Sequence, residues 1–174
     1  MSGKPFTVLI TGPESSGKST LARGLAAAFS GVYVAEFARE YLGSRGGIYE
    51  QADLDAILEG QLAAQRTGVR SGEGLIVCDT GPEVLYVWSM EKYGYVSPCI
   101  EQALITTSYD ATILCYPDLD WEPDPLREHA ADEDRLRLFA TYERLTLSRP
   151  NRLIIKGNER LMSATEFLKI LRAK

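Results

Sequence analysis

Cysteine and histidine are scarce in this sequence. Its 174 residues include three cysteines and one histidine, and Cys78, Cys99 and Cys115 form no C-x-x-C pair. A structural zinc site and a disulfide framework are therefore not expected. Because Cys78 and Cys115 fall inside short apolar runs, the sequence favours buried, reduced thiols and a cytoplasmic protein.

Long hydrophobic runs and an excess of basic charge are missing as well. No apolar run approaches the length of a membrane span, and the first 12 residues do not resemble a secretory signal peptide. The formal net charge is −5, and lysine and arginine form no basic stripe. Neither a membrane nor a nucleic acid is therefore expected as a partner, whereas a homo-oligomer is compatible with the sequence.

The sequence does contain a regular alternation of strand-like and helix-like segments. Short apolar runs predict about five buried strands, at residues 6–11, 32–35, 74–78, 111–116 and 152–155. Apolar residues at helical spacing predict helices at residues 19–29, 52–69, 82–93, 98–107, 132–148 and 164–171. This order predicts an α/β fold with a parallel central sheet and helices on both faces, in a single domain over residues 1–174.

The most specific motif follows the first predicted strand. Residues 12–19 read GPESSGKS and match G-x-x-x-x-G-K-[ST], with a strand before them and a helix after them. Such a loop turns several backbone N–H groups toward one point, where the helix dipole also favours phosphate. Lys18 can reach the β- and γ-phosphates of ATP, and the Ser19 hydroxyl can bind Mg²⁺. The predicted nucleotide-binding residues are Gly12, Pro13, Glu14, Ser15, Ser16, Gly17, Lys18, Ser19, Thr20 and, in the turn after the last strand, Gly157.

Acidic residues stand at the ends of two other predicted strands, at the sheet edge where ligands bind in such folds. Asp79 is predicted to hold Mg²⁺, directly or through water, and its alternative role is to cap the next helix. Glu36 could orient or deprotonate an acceptor hydroxyl, with Arg39 on the same face one turn later. A solvated, charged helix start explains Glu36 and Arg39 equally well.

Residues 117–131 contain three prolines and are predicted to form a surface loop that acts as a lid. Arg127 in this lid is predicted to neutralise charge during phosphoryl transfer. Arg137, on the next helix, is expected to pair with nearby carboxylates on an exposed face. Trp121 could stack on a flat substrate, although packing the lid shut is the simpler role.

Five segments together resemble the ribosylnicotinamide kinase domain of NadR-type proteins and their stand-alone relatives. They are GPESSGKST, EFARE, CDT, VWS and DLDWEPDPLRE, and the resemblance covers residues 7 to about 156. It implies a three-layer P-loop NTPase fold of the nucleoside and nucleotide kinase type. It also implies ATP-dependent phosphorylation of the 5′-hydroxyl of a nicotinamide-type nucleoside. By position, Lys18 and Ser19 would then serve the triphosphate and metal, Asp79 the metal or hydroxyl, Glu36 and Arg39 the acceptor, and Arg127 the lid.

Three positions differ from the pattern of that family. Ala35 stands where an aromatic residue precedes the glutamate, Gly81 replaces the second aspartate of Asp-Thr-Asp, and Pro125 replaces a lid glycine. The sequence therefore leaves two alternatives. The first is a kinase of another nucleoside or of a nucleotide, and the second is a P-loop ATPase that acts as a switch or partner-binding module.

Overall fold

A computed structural model describes residues 4–43, 45–71, 74–124, 129 and 131–173 of the chain. Five strands form its sheet: β1 (Phe6–Thr11), β2 (Val32–Val34), β3 (Leu75–Asp79), β4 (Ala111–Cys115) and β5 (Arg152–Ile155). Seven helices lie in the described residues: α1 (Lys18–Ala28), α2 (Phe37–Gly43), α3 (Gln51–Ser71), α4 (Pro82–Tyr93), α5 (Pro98–Thr106), α6 (Asp132–Leu145) and α7 (Arg160–Arg172).

The five strands are all parallel and lie in the order β2-β3-β1-β4-β5. Strands β1, β3 and β4 are the inner three, and β3 and β4 are buried along their whole length. This explains why the sequence shows continuous apolar runs rather than an alternation of apolar and polar residues. The predicted α/β fold with a parallel central sheet is confirmed.

Helices cover both faces of the sheet, because successive side chains of a strand point in opposite directions. Val8 and Ile10 of β1 pack with buried residues of α1 and α7, including Leu25 and Leu168. Leu9 between them packs on the opposite face, beside β2, β3 and α3. The remaining core lies around α4 and α6, and around α2, α3 and α5. The result is three layers with the sheet in the middle.

Two further observations bear on the sequence predictions. Cys78 and Cys115 are buried and Cys99 is exposed, and all three are unpaired. Burial raises the pKa of Cys78 to about 12 and that of Cys115 to about 11, so both thiols stay protonated at neutral pH. Within the described residues, no helix is both long enough and apolar enough to span a membrane.

The largest boundary difference concerns α7, which begins at Arg160, one turn before the predicted start at residue 164. Leu161 and Met162 in that first turn are 43% and 60% exposed, so the turn lacks the apolar periodicity that marks a packed helix. The parallel arrangement brings the carboxyl ends of all five strands to one edge. The segments that follow Thr11, Val34, Asp79, Cys115 and Ile155 therefore meet there.

Candidate active site

The loop between β1 and α1 is shaped by two glycines with positive φ. Gly12 has a φ of 138°, and a Cβ atom on it would lie 2.6 Å from the carbonyl oxygen of Cys115. Gly17 has a φ of 77°, and a Cβ there would lie 2.9 Å from Cδ1 of Leu119. A side chain at either position would thus be strained by the backbone and would collide with a neighbour. The loop can therefore turn tightly beside β4 only because both residues are glycine.

Internal hydrogen bonds hold this loop in shape. The Ser16 hydroxyl and the Lys18 ammonium both donate to the carbonyl oxygen of Pro13, each at 2.7 Å. Arg160, at the start of α7, donates to the carbonyl oxygen of Ser16 at 2.6 Å. The carbonyls of Pro13 and Ser16 are thereby engaged, and the loop leads into the start of α1, where backbone N–H groups can bind phosphate.

Asp79 ends β3 and lies beside the loop, almost completely buried at 1% exposure. Its Oδ2 accepts a hydrogen bond of 2.9 Å from the hydroxyl of Tyr33 on β2. Burial, reinforced by the Asp79 carboxylate, raises the pKa of Tyr33 to about 12, so the phenol remains a donor. Asp79 Oδ1 is also buried and has no hydrogen-bond partner among the described residues.

The site residues fit a nucleotide with Mg²⁺. Asp79 supplies an orphaned carboxylate oxygen, and Ser19 lines the neighbouring cleft with its hydroxyl. Among the described residues, no three or more His, Cys, Asp or Glu side chains come together as a complete metal cage. An orphaned carboxylate oxygen is the kind of ligand that Mg²⁺ takes, since it usually binds one or two protein oxygens together with phosphate oxygens and water.

Glu36 and Arg39 line the same cleft as the phosphate loop. The Arg39 guanidinium donates to Glu36 at 3.1 Å and to Asp124 of the lid at 2.9 Å. Burial raises the pKa of the Glu36 carboxyl above its ordinary value; Lys18 opposes this shift and the Asp79 carboxylate adds to it. A carboxylate with a raised pKa in a cleft can act as a general base.

The described part of the predicted lid is hydrogen-bonded to the phosphate loop. The Ser15 hydroxyl donates to the carbonyl oxygen of Asp120 at 3.3 Å and accepts from the N–H of Glu122 at 3.0 Å. The N–H of His129 donates to Glu14 at 3.0 Å. Predicted residues Arg127 and Pro125 lie outside the described residues.

Two arginines of α6 differ in environment. Arg135 is buried and donates to the carbonyl oxygen of Leu119, at the root of the lid, at 2.9 Å. Arg137 is half-exposed and makes two hydrogen bonds with Glu91, of 2.7 and 2.6 Å. The surface pairing expected for Arg137 is what the structure shows.

Most of the predicted site residues line one cleft of about 180 Å³. From the prediction it contains Gly12, Glu14, Ser15, Ser16, Gly17, Lys18, Ser19, Thr20, Glu36 and Arg39. Its other lining residues include two aromatic residues, Trp88 and Tyr142. Pro13 lies against a smaller neighbouring cavity, and Trp121 is a half-buried residue between the cleft residues Asp120 and Glu122.

Gly157 is exposed in the turn after β5. Hydrogen bonds to Asp118 and Arg160 link it to the site. Its N–H donates to Asp118 at 2.7 Å, and its carbonyl oxygen accepts from Arg160 at 2.9 Å. Arg160 also forms an ion pair with Asp118 and binds the carbonyl oxygen of Ser16. Sequence reasoning missed Arg160 and Tyr33, because neither stands in a motif and their partners are distant in the chain.

The chain is similar to known proteins in sequence and in structure. The AAA_28 family model, described as an AAA domain, matches residues 7–159. The trifunctional NAD biosynthesis/regulator protein NadR of Salmonella typhimurium is 31% identical over 139 residues, which are 76% of this chain and 34% of that protein. The chain thus spans about a third of the length of the curated relatives that it matches.

Solved structures with the same fold include two of NadR protein, one in complex with NR and one with NAD and AMP-PNP. They have TM-scores of 0.76 and 0.79 at 18% identity, cover 98% of this chain, and are themselves covered to 52% and 50%. Thymidylate kinase from Ehrlichia chaffeensis has a TM-score of 0.61 at 14% identity, with coverage of 98% of this chain and 99% of that one. The three-layer P-loop fold of nucleoside and nucleotide kinases is confirmed, and the chain belongs to the AAA_28 family of AAA domains.

Proposed function

We propose that this chain is an ATP- and Mg²⁺-dependent kinase that phosphorylates a hydroxyl of a small nucleoside-like acceptor. Nicotinamide riboside is the first candidate for that acceptor, because the chain is similar to NadR over 139 residues. The observation that carries the proposal is the single cleft shared by the phosphate loop and the pair Glu36 and Arg39.

Each side of the cleft would then have a distinct task. The loop amides and Lys18 would hold the triphosphate, with Gly157 near the nucleotide base. Glu36 would accept the proton of the acceptor hydroxyl, and Arg39 would orient the acceptor. Arg127 would bring a guanidinium to the transferring phosphoryl group, and Trp121 would close the lid over the acceptor.

Ser19 and Asp79 are the residues that would hold Mg²⁺. The metal would neutralise charge on the β- and γ-phosphates. Tyr33 fixes one oxygen of Asp79 by a hydrogen bond of 2.9 Å, which leaves the other oxygen directed away from that partner. Asp79 is the alternative to Glu36 as the residue that orients the acceptor hydroxyl. A reducing, ATP-rich compartment suits this chemistry and the three unpaired thiols, and we propose the cytoplasm.

One observation, the lack of room at Gly81, favours a second class of acceptor. Ala35 and Gly81 stand where the resembling kinases carry an aromatic and an aspartate, and Gly81 has no room for a side chain. A Cβ at Gly81 would lie 2.7 Å from Glu83 Oε2 and 2.9 Å from the Tyr109 hydroxyl. An acceptor that needs neither contact, such as a pyrimidine nucleoside, is therefore the second candidate.

An acceptor panel tests both candidates. Purified protein is incubated with ATP and Mg²⁺ and with nicotinamide riboside, uridine, cytidine, thymidine, deoxyadenosine or dTMP, and the phosphorylated product is detected by ³¹P NMR. We expect product from one of these acceptors and none from the Lys18→Ala variant. If ATP hydrolysis stays slow with every acceptor and rises with a protein partner, the chain is a switch and the kinase proposal is wrong.

A further inference from the structure

Two buried glutamines lie one turn apart on α3, on the side of that helix that faces the site. Gln61 is 3% exposed and Gln65 is 7% exposed. Glutamine is usually exposed, so a buried pair calls for a physical reason. Residues at positions i and i+4 share one face of a helix, and both of these side chains reach backbone at the carboxyl edge of the sheet.

Gln61 holds the backbone on both sides of Glu36. Its Oε1 accepts a hydrogen bond of 2.7 Å from the N–H of Phe37, and its Nε2 donates to the carbonyl oxygen of Ala35 at 3.3 Å. Phe37 is the first residue of α2, where N–H groups lack an acceptor within the helix. The Gln61 side chain therefore binds the backbone on both sides of Glu36, the residue proposed as the general base.

Gln65 holds the backbone next to Asp79. Its Nε2 donates to the carbonyl oxygen of Thr80 at 3.1 Å, and its Oε1 accepts from the Tyr109 hydroxyl at 3.0 Å. Thr80 has a φ of 74°, which is unfavourable for a β-branched residue. The N–H of Thr80 donates to Ile10 at 3.0 Å, so bonds on both sides keep this residue in place.

Two glycines bring α3 close enough for these contacts. A Cβ at Gly60 would lie 2.1 Å from the Phe37 ring, and one at Gly68 would lie 2.8 Å from Val34. Glycine destabilises a helix interior relative to alanine, and here it permits direct packing of α3 on α2 and on the end of β2. The glutamines are therefore presented from a helix that is in close contact with the segments they bind.

We propose that Gln61 and Gln65 are positioning residues that together set the separation between Glu36 and Asp79. This inference rests on the proposed kinase function for its catalytic consequence. Phosphoryl transfer is catalysed mainly by placement of groups, and small displacements of those groups reduce the rate strongly. If the glutamines only satisfied buried backbone groups, their loss would lower stability and leave the rate of the folded protein unchanged.

The test uses methionine, which matches glutamine in length and removes both hydrogen bonds. We expect Gln61→Met and Gln65→Met each to lower kcat by about 10- to 100-fold, with KM for ATP at saturating Mg²⁺ within about twofold. Gln51→Met is the matched control, since Gln51 lies on the same helix and bonds to Ser89, away from the two carboxylates. The control should keep the kcat of the unmodified protein.

Double variants separate positioning from structural support. If Gln61 acts through Glu36, Gln61→Met should change kcat by less than about twofold in the Glu36→Gln background. Gln65→Met should likewise have little effect in the Asp79→Asn background. Independent effects in either pair, or a kcat equal to that of Gln51→Met, would overturn the proposal.

Two measurements test the positioning role without any acceptor. Amide hydrogen exchange at Phe37 should accelerate about tenfold in Gln61→Met and not in Gln65→Met. The Mg²⁺ dependence of AMP-PNP affinity, read by calorimetry, should shift in Gln65→Met and not in Gln51→Met. If no acceptor is phosphorylated and these two shifts occur, the kinase function fails and the positioning stands; if neither shift occurs, the positioning fails.

A milder variant guards against misfolding of the methionine variants. Tyr109→Phe removes only the hydroxyl that donates to Gln65 and keeps the buried ring. We expect its kcat to fall in the same direction as that of Gln65→Met but by less. An unchanged kcat in folded Tyr109→Phe, together with unchanged Mg²⁺ dependence, would count against the role of Gln65.

Discussion

The two sides of the cleft are built in different ways. The phosphate side is one continuous stretch, residues 12–19, in which glycine conformation, backbone carbonyls and a helix start do most of the work. The acceptor side is assembled from α2, the lid, α3 and α4, and its groups meet only in the folded chain. The first depends on local backbone geometry and the second on contacts between distant segments, so mutations should affect the two sides differently.

The largest effect is expected on the phosphate side. Lys18→Ala should lower kcat by about 1000-fold, because it removes the cation that would face the β- and γ-phosphates. Its only described hydrogen bond is to the Pro13 carbonyl, so the melting temperature should change little. Steady-state kinetics and a thermal melt check this, with Lys169→Ala on α7 as the control. Turnover equal to that of the control would remove the basis of the phosphate-loop assignment.

The lid should give the next largest effect. Arg127→Ala is expected to lower kcat by about 100-fold while changing ATP affinity far less, since its guanidinium would act on the transferring group. Arg137→Ala is the matched control, because Arg137 pairs with Glu91 on the surface. Kinetics and calorimetry with AMP-PNP measure the two quantities. Equal activity of both variants would make Arg127 a surface residue without a catalytic role.

At the acceptor side, Gly81→Asp should destabilise the protein instead of restoring a ligand. The new Cβ would meet Glu83 Oε2 at 2.7 Å and the Leu9 and Tyr109 side chains at 2.9 Å. We expect a loss of about 2 kcal/mol in the free energy of unfolding, from overpacking of a buried site. Urea unfolding measures it, and Gly43→Ala, with open space around it, is the control. An aspartate tolerated at position 81 would show that this region adapts easily.

The smallest effect is expected from the charge of Glu36. Because burial raises its pKa, the ionised carboxylate costs stability; the cost is full above the raised pKa and absent below the ordinary value. Glu36→Gln should therefore have a higher melting temperature than the unmodified protein at pH 8, and the difference should shrink as the pH falls toward 4.5. Melts across this range test it. A difference that grows on acidification would mean that the folded state lowers this pKa.

The comparison also shows what sequence could and could not predict. The sequence predicts β1, the phosphate loop and the start of α1, because backbone geometry there follows from local residue types. The helix Pro82–Tyr93 and the strand Arg152–Ile155 were predicted with their observed bounds. Tyr33, Gln61 and Gln65 were not singled out, since a tyrosine or glutamine becomes informative only when its partner on another element is known.

Gly81 illustrates a different limit. Sequence comparison presents it as a missing acceptor ligand, whereas the structure shows a position already filled by its neighbours. Glu83 is fully buried and forms an ion pair with Arg149, which also binds the carbonyl oxygen of Thr107. That network occupies the volume an aspartate would need. The reason lies in side chains from α4, α6–β5 and the segment before β4, which no local pattern brings together.

The hydrogen bonds of Arg160 have a consequence for the molecule as a whole. This residue opens the last helix of the chain, yet it fastens a carbonyl of the first phosphate-binding turn. A protein truncated after β5 would keep residues 12–19. It would still lose the hydrogen bond from Arg160 to the Ser16 carbonyl, which helps to hold the loop in shape. The shape of the phosphate loop thus depends on the docking of α7, and the loop is complete only once the far end of the chain has joined the sheet.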